Sequence, residues 1–240
     1  MRLFLFISGL LLSFTCIAQQ QSEPKNMVSY DNYINAMIKD EKKGFIRKDS
    51  LIGSALKVIS ASEAINDYKA NELKGNKKYK GKYVRIHSAV SAIKEGAFSK
   101  AYIQANGQNQ FEYITIYINP DDERFLNISK GDKIDLICKG DGVLLGSPIF
   151  DKCYFPSDYA DKMLNLLSND ITKNTFKTKE AIIISSMYYA LEPIIESDCS
   201  KNEERCLKAV RDNINKISKE EFKKIGDSAK NKDRVIDLIN

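Results

Sequence analysis

The most regular alternation of hydrophobic and polar residues lies between residues 60 and 154. It begins at Ser60-Ala-Ser-Glu63, a capping box in which the two polar side chains satisfy backbone donors, and this predicts a helix to about Leu73. Residues 83–93 then alternate between apolar and polar side chains, as a half-buried strand does. Four further runs have strand character: 101–104, 111–119, 133–139 and 147–154. The pattern therefore predicts one helix followed by five short strands.

Helical patterns lie on both sides of these strands. Residues 27–38 carry apolar side chains at roughly helical spacing, and residues 49–59 form another short apolar segment, so two short helices are predicted before the strands. After the strands, capping residues predict helices that open at Pro156, Thr178, Ser200 and Ser218. Residues 156–240 are therefore predicted to form a helical subdomain.

A brief helical segment at residues 121–127 is predicted between the third and fourth strands. Five strands with a helix at this place match the order of an OB-fold, a five-stranded and partly open β-barrel. The predicted fold class is therefore α+β, with a five-stranded OB-fold β-barrel, N-terminal helices and a C-terminal helical subdomain. The barrel and its preceding helix take residues 60–155, and a polar tether with short helices takes residues 19–59.

Four motifs in the central stretch resemble an exported bacterial family of OB-fold proteins. They are Ser-Ala-Ser-Glu-Ala-Ile-Asn-Asp-Tyr-Lys-Ala-Asn-Glu at residues 60–72, Lys-Tyr-Lys-Gly-Lys at 78–82, Lys-Gly-Asp-Lys at 130–133 and Asp-Lys-Cys at 151–153. In these motifs the chain resembles the tRNA-anticodon-binding-like family over about residues 60–154. The resemblance implies the fold of an anticodon-binding domain. It implies no established activity, so no functional residue is carried over from it.

The first eighteen residues (1–18) have the pattern of a secretory signal peptide. Arg2 supplies a positive charge, residues 3–12 are apolar, and Cys16-Ile-Ala18 offers small residues at a cleavage site. The alternative is a lipoprotein signal with an anchor at Cys16, but Ser13 stands where such signals usually have leucine. We therefore expect an exported protein, periplasmic or secreted. No other stretch is long and apolar enough to predict a bilayer span.

Cysteine usage agrees with export. Removal of Cys16 with the signal leaves an even number of cysteines for an oxidising compartment: Cys138, Cys153, Cys199 and Cys206. We predict a pair between Cys138 and Cys153, on the fourth and fifth strands, and a pair between Cys199 and Cys206, between two helices. A zinc site is the alternative. The chain has no Cys-x-x-Cys motif and a single histidine, so we expect no metal and no cofactor.

The net charge is +5, and no segment of the chain is strongly basic. Residues 60–155 carry 14 basic and 12 acidic side chains, and residues 156–240 carry 15 of each. A domain that binds nucleic acid usually concentrates basic residues on one face. The balance therefore argues against polyanion binding as the main function.

No residue pattern indicates a catalytic site. His87 is the only histidine, and its place on the polar face of a predicted strand indicates a solvent-exposed side chain. The acidic clusters at Asp121-Asp-Glu123 and Glu203-Glu204 lie at predicted helix starts, where carboxylates compensate the helix dipole. We therefore predict that the protein is not an enzyme. Carboxylate chemistry is the enzymatic alternative, and no spacing supports it.

One basic and aromatic set is a candidate ligand surface. Its basic members lead into the barrel without an intervening acid, and its tyrosines fall on the second and third strands. The candidate ligand-binding residues are Lys77, Lys78, Lys80, Arg85, Tyr102, Tyr113 and Tyr117. In OB-folds, aromatic side chains on these strands stack bases and lysines follow the phosphates. The alternative is that the lysines form a solvated linker and several of the aromatic side chains fill the barrel.

Alternation along the third strand places Ile114, Ile116 and Ile118 on the core side and the tyrosines on the other side. Our hypothesis is an exported, non-enzymatic OB-fold binding module that docks a protein partner in the cell envelope. Oligonucleotide or polyanion binding through the basic run and the tyrosine face is the alternative. We rank it second because an exported protein meets little nucleic acid.

Overall fold

The structure, a computed structural model, describes residues 24–96 and 100–239 of the 240-residue chain. Within these ranges, helices from both ends of the sequence flank a mixed β-sheet. The α+β class predicted from the sequence is confirmed. The predicted signal peptide at residues 1–18 and the possible anchor at Cys16 lie outside the described residues.

The helices begin mostly at the predicted capping residues. They are α1 (Met27–Arg47), α2 (Ala61–Ala70), α3 (Glu72–Tyr79), α4 (Glu123–Leu126), α5 (Pro156–Thr172), α6 (Lys179–Cys199), α7 (Glu203–Asn213) and α8 (Lys219–Ala229). Ser60 caps α2 by accepting a hydrogen bond from the Glu63 N–H, and Ser218 forms a full capping box at α8. The predicted cap at Ser200 is wrong, because Asn202 caps α7 instead.

The sheet combines antiparallel and parallel pairings. Its strands are β1 (Lys57–Ile59), β2 (Tyr83–Ala89), β3 (Ala92–Glu95), β4 (Ala101–Asn106), β5 (Tyr113–Tyr117), β6 (Lys133–Leu144) and β7 (Ser147–Tyr154). They lie in the order β1-β2-β6-β7-β5-β4-β3. The β1–β2 and β5–β7 pairs are parallel and the others are antiparallel.

The predicted strand at residues 83–93 is two strands in the structure, because its partner changes between Val90 and Ser91. The Val90 N–H donates to the Asp132 carbonyl, beside β6, at 2.8 Å. The next residue, Ser91, donates its N–H to the Gln104 carbonyl on β4, also at 2.8 Å. One continuous stretch of chain therefore borders both β6 and β4, although these strands are not neighbours in the sheet order.

Two predicted helices have different forms in the structure. The helix predicted to end near Leu73 stops at Ala70, because Asn71 takes an extended conformation and caps α3 through the Lys74 N–H. The lysine run that follows is therefore partly helical and is not a linker. Residues 49–59 form a short 3-10 helix (Ile52–Ala55) and then β1, because their β-branched end pairs with β2.

The described residues form two hydrophobic cores, one on each side of β2 and β6. The inner core lies between the curved sheet and α2, and its fully buried members include Ile86, Ile103, Ile114, Ile116, Leu136 and Phe150. The burial of Ile114 and Ile116 confirms the predicted alternation of β5. Interior packing of this kind fixes the strand register, since a shift by one residue would expose the whole apolar set.

The second core is helical, and it joins helices from before and after the strands. Helix α1 packs against α5, α6 and α7, and the segment Val235–Ile239 closes the same core. Tyr83 and Ile137 enter this core from the outer face of the sheet. Helix α1 therefore shares its core with the C-terminal helices, although it precedes the strands in sequence. No helix in the described ranges combines the length and the apolarity needed to cross a membrane.

Candidate functional site

The lysines of the candidate set lie on and beside α3, where Lys78 has internal partners. Its ammonium contacts the Asp67 carboxylate and lies 3.3 Å from Glu63 Oε1. The buried Tyr79 hydroxyl donates to the same Asp67 carboxylate. Burial raises the pKa of Asp67, but the hydrogen bonds from Lys78 and Tyr79 outweigh it and hold that pKa below its ordinary value. Lys78 therefore serves mainly to join α3 to α2.

Lys77 and Lys80 remain exposed, and the backbone of Lys80 is bound to β6. Lys80 forms an isolated bridge with Gly140, and the Gly81 N–H donates to the Gly140 carbonyl at 2.7 Å. A Cβ atom at Gly140 would lie 2.4 Å from the Tyr79 carbonyl oxygen, so only glycine permits this close approach. The backbone of Lys80 is thus held at the α3–β6 contact, and Lys77 lies on the last turn of α3.

Arg85 lies on β2 and points out of the inner core towards the end of α1. Its guanidinium donates to both Asp135 oxygens, at 2.8 and 2.7 Å. It also donates to the carbonyls of Phe45 and Ile46, at 2.8 and 3.2 Å. These carbonyls belong to the last turn of α1, where carbonyl groups have few N–H partners within the helix. Arg85 is buried and fully engaged, so it connects the sheet to the helical core and is not free to bind a ligand.

His87 follows Arg85 on the same face of β2, and it has close neighbours. Its Nε2 lies 2.7 Å from Asp135 Oδ1, and its Nδ1 lies 3.0 Å from Lys48 Nζ. Lys48 caps the C-terminus of α1 in a left-handed conformation, with φ of 74°. The ring is half-buried. The His87 side chain is 35% exposed and is therefore less exposed than predicted, because α1 ends beside this part of β2.

Tyr102 and Tyr117 are directly opposite each other on β4 and β5. Their ring centroids lie 6.1 Å apart in an edge-to-face arrangement, a favoured geometry for aromatic pairs. Lys100 Nζ lies 5.9 Å from the Tyr117 ring centroid, and Lys94 on β3 is opposite Tyr102. The sheet face formed by Lys94, Lys100, Tyr102 and Tyr117 is called the tyrosine face below.

The structure does not bring the predicted set together at one place. Tyr113 is opposite Asn106, at the far end of the β4–β5 ladder from the tyrosine face. Four residues of strand separate it from Tyr117, roughly 13 Å along the strand. Helix α2 contacts that far end through the Lys69–Glu112 ion pair, at 2.8 Å. The candidate residues therefore fall into four groups: the lysines on and beside α3, the engaged Arg85, the Tyr102–Tyr117 pair, and Tyr113 at the other end of the ladder.

An apolar patch that the sequence analysis missed lies near Tyr113. Phe111, in the β4–β5 loop, is 82% exposed, and Leu144 and Leu145, at the β6–β7 turn, are 57% and 99% exposed. The Ser147 hydroxyl donates to the Tyr113 carbonyl at 2.6 Å, which holds the β6–β7 turn beside the start of β5. We call Phe111, Leu144 and Leu145 the hairpin-tip patch. The sequence offered one signal for it, two adjacent leucines at a glycine turn.

The cysteines lie at bonding distance in the two local pairings that the sequence predicts. Cys138 on β6 and Cys153 on β7 have their sulfur atoms 2.08 Å apart. Cys199 at the end of α6 and Cys206 on α7 have theirs 1.93 Å apart. Within the described ranges, no group of three histidine, cysteine, aspartate or glutamate residues is arranged to hold a metal ion.

Comparison with known proteins gives a family and a distant structural likeness. No curated protein matches the chain. A crystal structure described as that of a nucleic acid-binding lipoprotein from Klebsiella pneumoniae is similar to 42% of this chain and 92% of its own, with 14% identity and a TM-score of 0.36. The profile of the tRNA_anti-like family matches residues 1–154, a range that reaches further towards the N-terminus than the motifs predict. This match covers more than half of the chain, and the chain therefore belongs to the tRNA_anti-like family.

Proposed function

We propose that the protein is an exported, non-enzymatic binding module that docks a protein partner in the cell envelope through the hairpin-tip patch. The observation that carries the proposal is the exposure of Phe111, Leu144 and Leu145 on two adjacent turns. Full burial of one such side chain is worth about 1.5–3 kcal/mol, and soluble proteins rarely leave several together without a function.

A partly open five-stranded barrel forms the scaffold in this proposal. Residues 83–95 act as one bent strand, because the chain passes directly from its partner β6 to its partner β4. The parallel pairing of β5 with β7 then connects the β4–β5 strands to the β6–β7 strands, with Thr115 opposite Ile149. Helix α4 lies between β5 and β6, which is the place of the helix in an OB-fold as the sequence analysis expects it. The barrel then carries the patch on the loops at one of its ends.

The engagement of the basic residues favours a protein partner over a polyanion. Two cations of the predicted set, Lys78 and Arg85, are paired with carboxylates of the chain itself. Interfaces between proteins are enriched in aromatic side chains at their centre, and they carry fewer lysines there. Phe111 fits that description, Leu145 adds exposed apolar area beside it, and the α3 lysines do not fit.

We expect that Phe111→Ser combined with Leu145→Ser weakens binding of the envelope partner by at least about tenfold, since buried anchors of an interface typically cost more than 1 kcal/mol each. The mature protein would be immobilised, envelope proteins retained by wild type identified, and their affinities measured with both proteins purified. Leu126→Ser is the matched control, because Leu126 is 71% exposed on α4. Equal affinity of the wild type and the double variant for every retained protein would rule out this docking surface.

A second candidate function is the binding of single-stranded nucleic acid by the tyrosine face. The observation in its favour is the edge-to-face pair of Tyr102 and Tyr117, with Lys100 Nζ 5.9 Å from the Tyr117 ring centroid. Stacking of a base on an aromatic side chain is sequence-tolerant, and a nearby lysine can meet the phosphate. This candidate uses a different part of the surface from the α3 lysines.

For this candidate, Tyr102→Ala with Tyr117→Ala is expected to weaken binding of a fluorescent oligothymidylate by about tenfold or more, because stacking is worth roughly 1–3 kcal/mol per base. Fluorescence anisotropy at low salt measures the affinity. Lys77→Ala with Lys80→Ala is the control, and its smaller effect should follow from the loss of net charge alone. No measurable binding by the wild type, or an equal loss in both double variants, would exclude the tyrosine face as a nucleic-acid site.

A further inference from the structure

We propose that a pocket at the His87 end of the β2–β6 ladder binds an amphipathic anion, a molecule with an apolar body and a carboxylate or similar head group. The pocket has a volume of ≈ 420 Å³ and lies on the strand ends beyond the helical core. Its lining residues are His87, Ser88, Ala89, Lys133, Ile134 and Asp135. This site is separate from the hairpin-tip patch and from the tyrosine face, so it goes beyond the proposed function.

The pocket forms because two strands extend further than the helix that covers them. Helix α1 ends at Arg47, and Lys48 turns the chain away in a left-handed conformation. Up to that point the outer face of β2 is covered, first at Tyr83 and then at Arg85, which binds the α1 carbonyls. Ala89 lies beyond the end of α1 and is exposed. The uncovered strand ends leave a concave surface made mainly of carbon atoms.

A smaller pocket of ≈ 170 Å³ lies at the end of α1. Arg85 and Lys48 are among the residues that line it. The two pockets are close together, because Lys48 Nζ lies 3.0 Å from the His87 ring and Arg85 and His87 approach the same Asp135 carboxylate. The volume of the larger pocket, ≈ 420 Å³, lies by itself in the range of sites that hold small molecules.

The charges at this site favour an anion. Asp135 is the carboxylate of the pocket lining, and Arg85 binds both of its oxygens, so its charge is balanced. Among residues 24–96 and 100–239, Lys48 and Lys133 have no carboxylate oxygen within 4.0 Å. The two lysines therefore place unbalanced positive charge at the rim of a largely apolar surface. An apolar ligand with one negative head group complements both properties.

The proposal can be tested with sodium octanoate as the probe and with His87 as the reporter. His87 is the only histidine, so its ring-proton NMR resonances are assigned without ambiguity. At a fixed pH of 8, octanoate is expected to shift the His87 resonances to saturation. Octan-1-ol, which lacks the charge, and acetate, which lacks the apolar body, are expected to produce much smaller shifts.

Two variants of the pocket should lose octanoate binding. Lys133→Ala is expected to weaken it about tenfold, as the loss of one charge-assisted contact does. Ala89→Glu is expected to abolish the shift, because it adds volume and negative charge to the pocket. Lys130→Ala, an exposed lysine in the preceding turn, is the charge-matched control and should bind like the wild type. A His87 resonance that octanoate leaves unmoved, or an equal response in the Ala89→Glu variant, would overturn the proposal.

Discussion

Replacement of Arg85 by methionine is expected to lower the free energy of unfolding by about 2–4 kcal/mol, somewhat less than the roughly 3–5 kcal/mol of a broken, fully buried ion pair. Methionine keeps much of the apolar stem but donates no hydrogen bond. The Phe45 and Ile46 carbonyls and both Asp135 oxygens lose the hydrogen bonds that Arg85 donates, although the Lys48 N–H still reaches the Phe45 carbonyl and His87 still lies beside Asp135. The loss stays moderate because the Asp135 side chain is 38% exposed and water can solvate it.

Urea unfolding measures this change, and a surface arginine supplies the control. Arg47 forms an ion pair with Asp49 at 3.2 Å, with side chains 57% and 59% exposed, so Arg47→Met should cost at most about 0.5 kcal/mol. Arg85→Lys should recover little, because an ammonium cannot reproduce the fork of donors that holds two carbonyls and a carboxylate. Similar midpoints for Arg85→Met and Arg47→Met would show that the network contributes nothing to stability.

The Arg85–Asp135 pair also makes the free energy of unfolding depend on pH. Burial raises the pKa of Asp135, but the hydrogen bonds and charge of Arg85 outweigh it and hold that pKa below its ordinary value. A carboxyl with a depressed pKa stabilises the fold above its unfolded-state pKa of about 3.9, and this contribution is lost as the pH falls through the folded-state pKa. The difference between wild type and Arg85→Met should therefore shrink when the pH falls below about 4.

Local sequence patterns predicted those features of the fold that depend on near neighbours. The cap at Ser60, the capping box at Ser218 and the alternation at Ile114 and Ile116 are all present. Each of them depends on residues two to four positions apart, which lie within one turn of helix or on one face of a strand. The position of α1 is different, because it depends on packing against helices more than a hundred residues away.

The candidate ligand surface was harder to predict for the same reason. The lysine run looked like one basic segment, but Asn71 starts a helix that aims Lys78 at Asp67. Arg85 looked free because its α1 partners precede it by about 40 positions. The pairing of Tyr102 with Tyr117 depends on the register between two strands, which the alternation of either strand leaves open. The hairpin-tip patch depends on the same kind of register, between β5 and β7.

The Cys138–Cys153 pair spans an irregular part of the β6–β7 ladder. Ile137 is opposite Tyr154 and Lys139 is opposite Asp151, so the register shifts at Cys138. Lys152, beside Cys153, has a φ of 46°, a left-handed conformation that is unfavourable for a side chain with a Cβ. Regular hydrogen bonding is interrupted there, and a covalent bond between the two strands compensates for it.

Replacement of both Cys138 and Cys153 by alanine is expected to lower the free energy of unfolding by about 3 kcal/mol, the loop-closure value for a separation of roughly 15 residues. The matched variant without Cys199 and Cys206, with a separation of 7, should lose less. Urea unfolding of the oxidised proteins, with thiol counting under denaturing conditions, checks both values, and four reactive thiols in the wild type would contradict the pairing.

Because the Cys138–Cys153 pair spans the register shift, its loss should accelerate hydrogen exchange first at residues 153–154 and 137–139. The helical core should keep its protection.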